Sequence, residues 1–241
     1  MSRMCGIGGI YLNKNAPFNF ADLQKMWHKL EDRGQDAAGI SFLWKNADQP
    51  TIIKSKGSAS KLSPRVKTSM GSMIQYAMLH TRYTTQGSVE NNNNNHPVLR
   101  SNIILTHNGV IYNDWELFLK LNRIPMYEVD TESIACALAN ESIDWVAENA
   151  EGSMSLAWVD IYNKETVNLF TNGRNPLVIA ELPCGSIVWA SGIRHLEHYN
   201  YTRFFHAIPG VLYSITPKGI RQTVITDKFG LPMTKVSRRV Y

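Results

Sequence analysis

Apolar positions along this chain follow two periods. Cys5 to Tyr11 is a short apolar run rich in glycine and isoleucine, the pattern of a buried strand. Phe20, Leu23, Met26, Trp27 and Leu30 then recur at helical spacing, with Asn19 placed to cap the helix and Gly34 just beyond its end. Strands are expected at Ala37 to Trp44 and Thr51 to Lys56, a short helix at Leu62 to Met70, and apolar strands at Ile74 to His80 and Ile103 to His107. Between the last two lies Thr84 to Arg100, a long polar loop whose asparagine run, Asn91 to Asn95, reads as a flexible tip. Helices are expected around Trp115 to Leu121, Thr131 to Ala139 and Ile143 to Asn149. The remainder is strand-rich: Met154 to Ile161, Thr166 to Thr171, Leu177 to Glu181, Ile187 to Ser191, Gly210 to Ile215 and Ile220 to Val224. Two groups of strands with helices between them predict an α+β architecture with antiparallel sheets. No internal repeat and no linker divides residues 1–241, so one domain is expected.

Composition narrows the class. The 241 residues are 44% hydrophobic, enough to bury a substantial core. No apolar run approaches the ~20 residues a membrane-spanning helix needs, and the start lacks the layout of a secretory signal. Cys5, Cys136 and Cys184 have neither metal nor disulfide spacing, which fits a reducing, cytoplasmic compartment. The net charge of +5 is modest and spread along the chain. Lys54, Lys56, Lys61, Arg65 and Lys67 form a loose basic stretch without interleaved aromatics, so it reads as solvated surface rather than a nucleic-acid footprint. No motif calls for a metal or organic cofactor, and neither a membrane nor a nucleic acid is indicated as a partner.

Candidate chemistry begins at Cys5. If the residues before it are removed, its own α-amino group, with a reference pKa of about 7.7–8.0, lies within reach of its thiol. One residue then holds nucleophile and base; the plainer alternative is a buried cysteine in a glycine-rich strand. Arg82 stands at a strand end, suited either to a carboxylate that its planar fork can grip or to a surface ion pair. His96 closes the polar loop as a packed histidine or a site residue. Asn108-Gly109 between apolar runs fits a hairpin turn; alternatively, the Asn108 amide and the Gly109 N–H are donors for an oxyanion. Asp130-Thr131-Glu132 precedes an apolar helical run, where Asp130 can cap the helix, bind an ammonium group, or do both.

Taken in order, Cys5-Gly6-Ile7, Arg33-Gly34-Gln35-Asp36-Ala37-Ala38-Gly39, His80-Thr81-Arg82, His96-Pro97, His107-Asn108-Gly109 and Asp130-Thr131-Glu132 resemble the class II glutamine amidotransferases, the N-terminal-nucleophile glutaminases. Gly152 to Ala157 and Arg174-Asn175-Pro176-Leu177 extend the resemblance. It implies a four-layer αββα sandwich. It also implies that Cys5 attacks the glutamine amide, that Asn108 and Gly109 form the oxyanion hole, and that Arg82 and Thr85 bind the α-carboxylate. Asp130 would take the α-ammonium, with His96 near the site. The products would be glutamate and ammonia, the latter passed to a separate synthetase subunit. Two other readings remain: a stand-alone γ-glutamyl amidohydrolase, and a catalytically inactive binding or regulatory subunit. Three departures stand out. Met1 to Met4 precede a cysteine that the family needs as mature first residue, so removal of this leader is expected; Tyr83 and Gln86 stand where the family often has Trp and His.

Overall fold

The computed structural model describes residues 4–71 and 73–226. The leader Met1 to Met4 thus falls outside the described residues except for Met4. Strands are numbered in chain order: β1 (Gly6–Tyr11), β2 (Ala37–Trp44), β3 (Thr51–Lys56), β4 (Ile74–Arg82), β5 (Val98–Arg100), β6 (Ile103–Ile111) and β7 (Gly152–Asp160). They continue as β8 (Val167–Thr171), β9 (Val178–Glu181), β10 (Ile187–Ala190), β11 (Arg203–His206), β12 (Val211–Thr216) and β13 (Gly219–Val224). The helices are α1 (Phe20–Lys29), α2 (Ala59–Met70), α3 (Asp114–Lys120), α4 (Thr131–Asn140) and α5 (Ile143–Asn149).

Among the described residues the strands form two antiparallel sheets, ordered β11-β9-β10-β1-β4-β2-β3 and β13-β12-β8-β7-β6-β5. Three apolar cores define four layers. One joins α1 and α2 to the first sheet through Leu23, Trp27, Leu62, Val66, Ile40 and Leu79. The second lies between the sheets, with Ile7, Tyr76, Trp189, Leu169 and Tyr213. The third packs α3, α4 and α5 on the second sheet through Leu117, Ile134, Val146, Leu105 and Leu156. The expected αββα sandwich is the observed one.

Local chemistry explains the elements that frame the site. Asn19 caps α1 by accepting from Ala21 N at 3.0 Å, and the periodic stripe buries Leu23, Met26 and Trp27 completely or nearly so. Trp27 also donates its indole N–H to His80 O at 3.0 Å, tying α1 to β4. Truncation of such a side chain to alanine typically costs about 3–5 kcal/mol. Gly34 does not act as the cap of α1. That helix ends at Leu30 and continues as a short 3₁₀ turn to Asp32. Gly34 is needed because a Cβ there would lie 2.4 Å from the backbone of Arg82 and Tyr83.

Three other expectations change. Asn108-Gly109 is not a hairpin turn: both residues lie inside β6, paired with Ser155 and Met154 of β7. The polar loop holds a 3₁₀ turn at Asn92–Asn94 and the short strand β5. Its asparagine run is not a flexible tip, since Asn94 and Asn95 are fully buried. Asn94 donates to Ser88 O and Glu128 Oε2 and accepts from Glu128 N; Asn95 donates to Val89 O. Lys54 is not solvated surface either: its ammonium donates to Asn95 O at 2.7 Å and Pro97 O at 2.9 Å. Burial, with the nearby Arg82 charge, lowers its pKa to about 8.

Candidate active site

β1 and β4 run antiparallel with Gly6 opposite Thr81, which sets Cys5 beside Arg82 and Tyr83. The half-buried Cys5 donates its thiol to Tyr83 O at 3.4 Å, while its own carbonyl accepts from Arg33 Nε at 2.8 Å. The preceding residue is also held, with Met4 N donating to Arg33 O at 3.1 Å. A small cleft of about 50 Å³ opens on the cysteine, lined by Met4, Cys5, Thr85, Gly109, Val110 and Ser153. The fold thus brings Cys5, Thr85 and Gly109 together from three distant stretches of chain.

Burial pushes the Cys5 thiol up to about 11; the Tyr83 carbonyl contact lowers it, the Asp130 carboxylate raises it, and Arg82 and Arg33 lower it. Four pH units below that value, only about one thiol in ten thousand is ionised. A thiol in this setting needs a base at hand before it can act as a nucleophile.

The wall opposite Cys5 is the end of β6. Asn108 is fully buried, and neither its side-chain nitrogen nor its side-chain oxygen has a hydrogen-bond partner among the described residues. Leaving such an amide unpaired typically costs about 1–3 kcal/mol per group, and both of its polar groups are free to take a further partner. Its backbone oxygen is held by Asn175 Nδ2 at 2.9 Å. Gly109 has φ +157°, and a Cβ there would lie 1.8 Å from Ser153 O, so no other residue fits without displacing β7.

Arg82 is almost completely buried. Its guanidinium donates to Asn95 Oδ1 at 2.7 Å, to Gly87 O at 2.8 Å and to Gln86 O. Burial lowers its pKa, and the Cys5, Asp36 and Asp130 groups oppose that shift. Three of its five N–H groups therefore hold the loop. In this arrangement Arg82 is the loop's anchor, and a carboxylate would compete with the Gln86 and Gly87 carbonyls. Asp130 caps α4 through Thr131 N at 2.9 Å and accepts from Ile111 N at 2.7 Å, pinning the helix start to β6. Each of its oxygens has one protein donor here, leaving lone pairs for another.

His96 does not line the cleft. It is buried, stacked on His80 with ring centroids 4.1 Å apart, and lies 2.9 Å from Thr131 Oγ1. Glu132 is a structural residue: it accepts from Met126 N and Tyr127 N and pairs with Arg100 at 3.2 Å, with its side chain fully buried. Of the two departures in the motif, Tyr83 supplies the carbonyl that meets the thiol, and Gln86 is an exposed side chain whose carbonyl holds Arg82. Among the described residues, no three His, Cys, Asp or Glu side chains group so as to hold a metal ion. No described helix is long and apolar enough to cross a membrane.

Sequence reasoning missed Ser153, Asn94, Asn95 and Lys54. Nothing local marks them: a run of asparagines looks the same whether solvated or buried, and only the pairing of β6 with β7 brings Ser153 to the cleft.

Residues 80–198 match the family model described as "Glutamine amidotransferase domain". The chain is 34% identical over 189 residues to a glutamine–fructose-6-phosphate aminotransferase (isomerizing) of Staphylococcus aureus strain Mu50, and 31% identical over 190 residues to that of Streptococcus mutans. Each match covers 73% of this chain and 30% of the relative, so the chain spans less than a third of these proteins' length. The fold is similar to that of a glutamine phosphoribosylpyrophosphate amidotransferase from B. subtilis, with a TM-score of 0.75 at 22% identity over 91% of this chain and 49% of the other. Residues 80–198 thus carry a glutamine amidotransferase domain.

Proposed function

We propose that this chain hydrolyses glutamine to glutamate and supplies the ammonia to an acceptor site on a separate synthetase subunit. The observation that carries the reading is the buried, unpartnered Asn108 amide, next in sequence to a glycine that lines the same cleft as Cys5.

In this reading the freed α-amine of Cys5 takes the thiol proton and the sulfur attacks the amide carbon. Negative charge then develops on the amide oxygen, where the Asn108 Nδ2–H and the Gly109 N–H receive it. The α-ammonium passes its proton to the leaving nitrogen, the C–N bond breaks, and ammonia departs from a γ-glutamyl thioester. Water then attacks the thioester, returns a proton to sulfur, and releases glutamate. Asp130 holds the substrate's α-ammonium. Arg82 and Thr85 hold its α-carboxylate, Arg82 by exchanging loop carbonyls for the carboxylate; His96 supports the site from behind.

An acceptor site for the ammonia is supported by the relatives: their names describe amino transfer involving fructose 6-phosphate, and the match spans 30% of their length. The partner would dock over the Cys5 cleft and speed glutamine hydrolysis once its acceptor is bound. Copurification from the native source followed by glutamate release with and without the partner tests this. A protein that turns over γ-glutamyl amines at full rate alone would favour the amidohydrolase reading. The inactive-subunit reading has one observation of its own: with Met4 attached, the Cys5 nitrogen is a peptide nitrogen and cannot act as a base.

A further inference from the structure

Four polar groups behind the cleft admit one arrangement of protons when the imidazoles are neutral. His107 Nε2 lies 3.2 Å from Ser153 O, which can only accept, so this nitrogen carries the proton. A neutral imidazole has one N–H, so Nδ1 of His107 must accept from Thr131 Oγ1, 2.9 Å away. With its hydroxyl proton so placed, Thr131 Oγ1 accepts from His96 Nε2 at 2.9 Å. His80 Nε2, 3.0 Å from His107 O, must likewise be a donor. All three rings are then Nε2–H tautomers with bare Nδ1 atoms. The Nδ1 atoms of His80 and His96 are indeed buried without a hydrogen-bond partner among the described residues. Neutrality follows from their surroundings: burial pushes His80, His96 and His107 below the ordinary histidine range.

This chain of bonds ends at the cleft. Ser153 is held at two points, its carbonyl by His107 Nε2 and its hydroxyl by Val110 N at 3.3 Å. Gly109 packs so closely that a Cβ there would lie 2.5 Å from His107 Nε2. Gly109, Val110 and Ser153 all line the cleft at Cys5. A rotation of the His107 ring therefore displaces the cleft wall.

We propose that Thr131 is a positioning residue: its hydroxyl fixes His107 as the Nε2–H tautomer, and through Ser153 it fixes the Gly109–Val110 wall that faces Cys5. The inference rests on the glutaminase reading for its effect on rate, but not for the proton arrangement. That arrangement is read by long-range ¹H–¹⁵N correlation of the imidazole nitrogens in the wild-type protein at neutral pH. With signals assigned by single substitution, so that His28, His195, His198 and His206 are set apart, His80, His96 and His107 are each expected to be neutral and protonated at Nε2. A His107 protonated at Nδ1, alone or together with Nε2, overturns the relay whatever the protein's activity.

The second arm is kinetic. Thr131→Val keeps the shape and removes the hydroxyl; it should lower kcat by about ten- to a hundredfold, the scale of a misplaced catalytic wall, with KM within about threefold. Thr131→Ser should restore both kcat and the wild-type tautomer pattern. Wild-type kcat in the valine variant, or a serine variant as slow as valine, overturns the proposal. If the valine variant does not fold, the wild-type spectrum and the serine variant decide. Absence of glutaminase activity from the wild-type protein would count against the functional reading, with the spectrum still deciding the relay.

Discussion

Asn175, between β8 and β9, donates its side-chain amide to the backbone oxygen of Asn108 at 2.9 Å. Asn175 is itself locked, because its carbonyl accepts from Ser155 Oγ at 2.8 Å and Thr171 Oγ1 at 3.1 Å. The strand that carries Asn108 is therefore held by its main chain, while its side chain has no partner among the described residues. Asn108→Ala should lower kcat by about 10²–10³ with little change in KM, the usual result of losing one oxyanion donor. Steady-state glutamate release checks this, and a loss of less than about threefold would remove Asn108 from the mechanism.

The three cysteines should separate by reagent. Cys136 is buried, Cys184 is exposed, and Cys5 is half-buried with a thiol held protonated by burial. A small general alkylating agent should modify Cys184 first. A glutamine-shaped diazo-ketone should modify Cys5 and spare both others, because only binding places its electrophile at that sulfur. Peptide mass mapping after each reagent gives the answer; the diazo-ketone on Cys184, with Cys5 untouched, would falsify the nucleophile assignment.

Active protein should begin at Cys5. The Met4 nitrogen is engaged with Arg33 O, and the Cys5 nitrogen becomes basic only when the Met4–Cys5 bond is cut. A variant locked to retain Met4 should lose most of its activity, and active preparations should show the shortened N-terminus by intact mass. In the mature protein the rate should rise with pH as the amine loses its proton, near its reference range of about 7.7–8.0. Equal turnover by molecules that all keep Met4 would sink this account.

Acid should destabilise the fold before the carboxylates titrate. Unfolded histidines take up protons near pH 6.5, whereas burial holds folded His80 at about 3 and folded His96 well below 6.5. Below pH 6.5 the unfolded state therefore binds more protons, and stability falls as pH falls; above 6.5 these groups contribute no slope. Two such histidines give about 3 kcal/mol per pH unit, at about 1.4 each. Urea unfolding at pH 7.5, 6 and 5 measures the slope, and equal stability at all three would show that the pair ionises freely in the native state.

Much of the scaffold was readable from period alone. α1 with its Asn19 cap, β2, β3 and α5 fall where spacing and turn residues put them, because each is a local pattern that needs no distant contact to be recognised. β5 and β11 were not legible: unlike the similarly short but more apolar β9 and β10, β5 sits within the polar loop, and β11 has charged and polar residues at its ends and its side chains largely exposed. Gly34 looked like a helix stop because glycine commonly plays that part; its actual reason, the Arg82–Tyr83 backbone 2.4 Å away, exists only after β4 packs against that turn.

The site divides along the same line. By itself the chain specified the chemical kinds: a thiol near the start, an arginine at a strand end, an Asn-Gly pair and an acidic helix start, in an order that resembles one family. Only the tertiary structure decided how they are used. It turned Asn108-Gly109 from a turn into strand by extending β6 along β7, which brings Gly109 to the cleft. It gave the Arg82 fork to the loop and buried the asparagine run as that loop's scaffold. It moved His96 behind the cleft onto Thr131. Residue identity sets which hydrogen bonds and charges are possible; which of them form depends on partners as far as 184 positions away, and burial decides which groups must find one.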